Sequence, residues 1–208
     1  MRNTRLTRQE GKALTRGRLV TAARHVFLQR GFHAASLDEI ALHARVTKGA
    51  IYASFAGKSE LFLAVLDAHI EERLRVLATA TFPEEGLEAV ARRHARATLA
   101  QGPQGVRWVS LMAEAWTHAA GDLELRSALA ERQDRLQQGV AALVSKIGAA
   151  VGVTFALPPR EMARAASALI RGLILERLLG PGRLSDAQFE ETFAAFICGL
   201  ARPAGDLK

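Results

Sequence analysis

Apolar residues recur every three or four positions along nearly the whole chain, and nowhere do they alternate with polar ones for the length of a strand. That period suits helices, so an all-α fold of about nine helices is expected. The first spans 15–30, with Leu19, Ala22, Ala23, Val26 and Phe27 as its apolar stripe and Gly31 as a left-handed stop. Ser36 and Glu39 stand at the spacing of a capping box and open a two-turn helix whose Leu37, Ile40 and Ala41 face inward. After Ala44-Arg45-Val46, Thr47 can cap a third short helix running to Ala53, and Phe55 closes the unit. A long helix over 58–80 carries Phe62, Leu66, Ile70 and Leu74 on one face. Five more are expected over 84–100, 106–119, 123–151, 160–179 and 186–200. Phe82-Pro83, Gly102-Pro103-Gln104-Gly105, Gly121-Asp122, Leu157-Pro158-Pro159 and Gly180-Pro181-Gly182 separate them.

With 208 residues the chain can bury a substantial core without a disulfide or a metal, and its single cysteine, Cys198, offers neither. The basic first twenty residues lack the apolar core of a signal peptide, which points to a cytoplasmic protein. The most apolar stretches, 141–157 and 163–179, are short for a bilayer and are broken by Lys146 and by Arg164, Arg171, Glu176 and Arg177, so no membrane partner is expected. The charge is unevenly placed. Residues 1–60 hold eleven Lys and Arg against four acids, whereas the remaining 148 residues carry seventeen of each sign. A positive front on a neutral body is what a phosphate polyanion requires; a basic tail serving solubility or non-specific membrane contact is the alternative.

Two brief capped helices joined by three or four residues have the proportions of a helix-turn-helix, in which the first helix braces the second and the second offers its N-terminal residues to the major groove. The run Gly31-Phe32-His33-Ala34-Ala35-Ser36-Leu37-Asp38-Glu39-Ile40-Ala41, then Ala44-Arg45-Val46-Thr47-Lys48-Gly49-Ala50-Ile51-Tyr52, then Phe55 and Lys58-Ser59-Glu60-Leu61-Phe62, resembles the DNA-binding segment of TetR-family regulators over about forty-five residues. The resemblance implies three N-terminal helices that read operator DNA, followed by a helical body that binds a small molecule and dimerises. It implies that Thr47 caps the reading helix and touches phosphate, that Lys48 reaches phosphate or a base edge, and that Gly49 permits close approach to the DNA backbone. Ala50 would meet a thymine methyl or leave room, Tyr52 would direct its hydroxyl to a phosphate, and Lys58 would add a charge at a helix start. Ser36 sits where the family's second helix begins. The chain departs from the family at Arg45, where glycine is usual and where the arginine becomes a further candidate for DNA. It departs again at Ala53 and Ser54, which lack the usual bulky side chains, so Arg2, Arg5 and Arg8 of an N-terminal arm could contribute through the minor groove.

The body is less legible. Trp108, Met112 and Trp116 share one helix face, with Arg107, Glu114 and His118 nearby; they are candidate ligand contacts or plain core. Phe155, Arg171 and Glu176 are further candidates, because a charge in an apolar helix wants a partner or a ligand. The segment 163–179 is apolar almost all round and must be covered on both sides. Together with the last helix it is expected to form a four-helix dimer interface through Leu169, Leu173, Phe189, Phe193, Phe196 and Ile197, unless a monomer covers both faces itself. The six histidines show no metal-binding spacing, there is no phosphate loop or partnered nucleophile, and neither a metal, a cofactor nor an enzymatic activity is expected. The expected organisation is a basic arm over 1–14, a helix-turn-helix domain over 15–60 and a ligand-binding and dimerisation domain over 61–208. The expected partners are double-stranded operator DNA of palindromic form, a small-molecule effector and a second copy of the chain. A repressor released by its effector is the first reading. An activator of the same family, or a helical carrier or scaffold that no longer reads DNA, are the others.

Overall fold

Thr7 and Glu10 form a reciprocal cap: the Thr7 amide donates to Glu10 Oε2 at 2.7 Å and the Glu10 amide to Thr7 Oγ1 at 3.2 Å. This box starts α1 (Arg8–Ala34) two turns earlier than the apolar stripe suggests, so residues 8–14, expected as arm, are helical. The computed structural model describes residues 7–82, 85–180 and 182–204, without the side chain of Arg8. Arg2, Arg5, the Arg8 side chain, Pro83, Glu84 and Pro181, all invoked above, lie outside the described residues.

Eight further helices follow among the described residues: α2 (Leu37–Ala44), α3 (Lys48–Tyr52), α4 (Lys58–Ala78), α5 (Leu87–Leu99), α6 (Gly102–Ala119), α7 (Leu123–Val151), α8 (Pro159–Leu178) and α9 (Asp186–Gly199). The fold is all-α, as expected, with one small addition to its helices. Two three-residue strands, β1 (Val153–Phe155) and β2 (Ala201–Pro203), pair antiparallel with Thr154 opposite Arg202. Gly152, at φ 69°, turns the chain out of α7 into β1.

The chain divides into two compact units, 1–69 with 111–130 and 70–110 with 131–208. The first therefore extends past residue 60 and takes in the end of α6 and the start of α7. Its centre is aromatic: Phe27 and Phe32 meet Phe62 edge-on, with ring centroids 5.4 and 5.1 Å apart. Leu19, Ile40, Ile51, Phe55 and Leu61 are buried in the same unit. In the second unit α9 packs along α5, placing Phe189 and Phe193 with Ala91, Ala95, Ala166 and Ile174. A smaller cluster holds Val144, Met162 and Ala163. Among the described residues no helix is long and apolar enough to cross a membrane.

Candidate nucleic-acid interface

Ser36 Oγ accepts the Glu39 amide at 3.1 Å, but the expected reciprocal bond is not made; the Glu39 carboxylate takes the Arg30 guanidinium at 3.1 Å. The second brief helix is reached through Arg45, whose backbone sits at φ 54°, ψ 48°, in the left-handed region that favours glycine. The chain thus makes with arginine a turn that glycine would make without strain, and accepts the steric cost of a side chain there. Thr47 Oγ1 accepts the Ala50 amide at 3.3 Å and opens α3. Ile51 is buried, anchoring one side of α3, while Thr47, Lys48, Gly49 and Tyr52 are exposed and Ala50 is half-buried. Tyr52 leaves 56% of its surface in solvent, which core packing does not explain.

Gly49 is exposed within a helix, where glycine costs about 1 kcal/mol relative to alanine. No contact among the described residues demands it: a Cβ there would have Thr47 Oγ1 as its nearest neighbour, at an ordinary 3.8 Å. Lys48 Nζ lies 2.9 Å from Asp38 on α2, and this bond raises the ammonium above its usual pKa. Lys58 is turned inward. Its Nζ donates to the carbonyls of His33 and Ala35 at 3.1 and 3.3 Å and stands 5.0 Å from the centre of the Phe32 ring.

Two residues passed over in the sequence reading hold the unit in shape. Arg16 donates to the Ser54 carbonyl at 2.6 Å and covers the Phe55 ring at 4.1 Å; Arg18 donates to the Ala44 carbonyl at 2.6 Å. Both belong to the basic front, and the only hint of their role is their spacing beside the apolar stripe of α1. A third is Glu114, which the sequence grouped with the tryptophans of α6. The Phe32 amide donates to its Oε2 at 2.9 Å.

The other candidates are scattered. Trp108 is half-buried in the second unit, whereas Met112 is buried and Trp116 is 38% exposed in the first. Phe155 lies on β1 against the Val144, Met162 and Ala163 cluster, a core position. Arg171 is half-buried, and desolvation lowers its pKa. Glu176 is exposed, 3.8 Å from Arg183. Sequence reading did not single out Arg73 or His94. Arg73 is half-buried without an ion pair or hydrogen bond among the described residues, and burial lowers its pKa. Burial, with the charges of Arg73 and Arg93, pushes the His94 imidazole down to about 4. No cluster of His, Cys, Asp or Glu suited to a metal ion occurs among the described residues.

Of the residues expected at a dimer interface, Phe189 and Phe193 are 0% and 3% exposed in a single chain. They pack in the chain's own core with residues of α5 and α8. Leu169 and Leu173 pack on the same cluster, Phe196 packs on the smaller one and Ile197 on both; all four are half-buried.

Residues 19–65 match the profile described as "Bacterial regulatory proteins, tetR family", and residues 83–202 match "BetI-type transcriptional repressor, C-terminal". The chain belongs to the TetR family. It is a transcriptional regulator with a helix-turn-helix, and TetR-family proteins are DNA-binding regulators rather than enzymes. Relatives within the family include the HTH-type transcriptional activator FasR of Mycolicibacterium smegmatis, 49% identical over 70 residues, 34% of this chain and 30% of that protein. The HTH-type transcriptional repressor BepR of Brucella suis is 37% identical over 81 residues, 39% of this chain and 34% of its own. The chain thus matches about a third of the length of these TetR-family relatives. A regulator from Saccharomonospora viridis, solved in complex with choline, shares the fold at TM-score 0.70 and 21% identity, covering 91% of this chain and 98% of that one.

Proposed function

We propose that this TetR-family protein is a dimeric, effector-released repressor that reads a palindromic operator with α3. The observation that carries this reading is the outward face of α3: Thr47, Lys48 and Tyr52 exposed beside a glycine that the chain's own packing does not require. A duplex laid there explains both, because a side chain at residue 49 would hold the DNA backbone away while Tyr52 and Lys48 reach phosphate or base edges. Arg45 adds a cation at the turn and Ser36 a hydroxyl at the start of α2. The inward bonds of Lys58 make it a brace for the α1–α2 connection, and its charge acts on DNA from behind that connection. Two copies would present their α3 helices about 34 to 36 Å apart, the spacing of successive major grooves.

The second copy finds a face on α8 and α9 that the chain's own core leaves uncovered. Ala168, Gly172 and Leu175 are exposed at helical spacing on α8, with Leu179 at its C-cap, as are Thr192, Ala195 and Gly199 on α9. Small residues let helices approach closely, so this face replaces Phe189 and Phe193 in the expected four-helix contact. The effector would be taken up by the second unit, where His94 and Arg73 offer a neutral imidazole and a cation that makes no ion pair among the described residues. An effector bearing an anionic group suits that chemistry; a quaternary ammonium such as the choline held by the Saccharomonospora viridis protein does not.

The direct test is fluorescence anisotropy on DNA enriched by the protein from a random pool. Lys48→Ala and Tyr52→Ala should each weaken binding at least tenfold while the dimer stays intact in sedimentation. Wild-type affinity in both variants would remove α3 from the groove. Occupancy of the promoter by the protein with transcription rising, rather than falling, would favour the activator reading that FasR exemplifies.

A further inference from the structure

We infer that Glu114 on α6 is a positioning residue of the DNA-reading unit: its carboxylate grips the break in α1 at Gly31 and Phe32, so operator affinity depends on that contact. The inference rests on the DNA-reading role proposed above and names a side chain that holds the reading unit in shape.

The break is specific. Gly31 adopts φ 79°, ψ 174° inside the helix, a backbone conformation that L side chains rarely take, and it leaves the Phe32 amide without its helical acceptor. Glu114 supplies that acceptor at 2.9 Å. A Cβ at residue 31 would lie 2.5 Å from both oxygens of the Glu114 carboxylate, so a side chain there would push the carboxylate off the Phe32 amide besides straining the backbone. The remaining turn of α1 is held by the same hand. His118, one turn along α6, has its ring centroid 5.1 Å from both Phe32 and His33. From the other side Lys58 binds the carbonyls of His33 and Ala35. Ala35 precedes the Ser36 cap of α2, so the start of the helix-turn-helix hangs on a segment whose one freed amide is satisfied from α6.

α6 itself is continuous from Gly102 to Ala119, beginning in the second unit and ending in the first. A hydrogen bond of this length is lost when its partners separate by about 0.6 Å or more. The contact at Phe32 therefore fails for a displacement too small to disturb the apolar core.

The test uses the full chain and the pool-enriched DNA. Glu114→Ala should weaken operator binding at least fivefold with the dimer and helical content retained. Glu114→Gln, which keeps an oxygen for the Phe32 amide, should restore binding to within twofold. Gly31→Ala should weaken binding on its own but cost markedly less in the Glu114→Ala background, where the carboxylate it strikes is gone. A Glu114→Ala protein that binds like wild type, a Glu114→Gln protein as weak as Glu114→Ala, or additive effects of the two sites would each overturn the inference. Should Glu114→Ala fail to fold, the Gln variant and its pairing with Gly31→Ala decide the matter alone. If the wild-type protein enriches no DNA at all, the DNA-reading proposal itself has failed, a result distinct from any of these.

Discussion

His94 is a base whose protonation the fold resists. The native imidazole titrates at about 4 against an ordinary 6.5, because burial and the charges of Arg73 and Arg93 disfavour a further cation. As pH falls below 6.5 the unfolded chain takes up the proton first, so stability drops through the window from 6.5 to about 4 and levels off beneath it. The slope from this group reaches up to about 1.4 kcal/mol per pH unit. Urea unfolding of His94→Gln beside the wild type should show the variant losing less stability between pH 6.5 and 4.5; parallel curves would show that the residue is hydrated in the native state. Arg45 sets two effects against each other. Glycine at its left-handed turn should stabilise the protein by about 1 kcal/mol, yet remove a cation from the proposed interface. Arg45→Gly is expected to melt higher and to bind DNA with a shallower dependence on salt.

Among the elements, the α8–α9 face yields the cleanest expectation. Nothing lies within 4 Å of a Cβ built on Gly172, so Gly172→Leu fits the single chain and even favours its helix. It should nevertheless shift the protein to monomer in sedimentation, whereas an unchanged dimer would place the interface elsewhere. The same helices show what sequence could and could not disclose. The caps at Ser36 and Thr47 and the boundaries of α2 and α3 were legible, since each rests on contacts three or four residues apart. The true start of α1 was missed because its first turns bury little and are held by the Thr7–Glu10 cap instead of an apolar stripe. β1 and β2 were missed because three residues cannot show a period, and their partners lie about fifty positions apart. The phenylalanines of α9 carried a correct period but no address. Periodicity says that a face is covered, not whether α5 or a second chain covers it.

For the whole molecule, the site was legible to the extent that its function is local. The α3 residues proposed to face the groove follow from a short stretch of sequence, while the brackets that hold α3, Arg16 to Ser54, Arg18 to Ala44 and Glu114 to Phe32, join residues 26 to 82 positions apart. The proposed effector site was illegible for the same reason, since Arg73 and His94 belong to different helices. Thermal denaturation with decanoate and with choline, each at millimolar concentration, should raise the melting temperature with the carboxylate alone. A shift with choline alone would reverse the proposed charge preference. The composition of the first unit also bears on protein engineering. Residues 111–130 belong with 1–69, so a chimera spliced at residue 60 would carry its reading head away from the segment that completes it. A graft onto another sensor should transplant that segment too, with Gly31 and Glu114 kept as a matched pair.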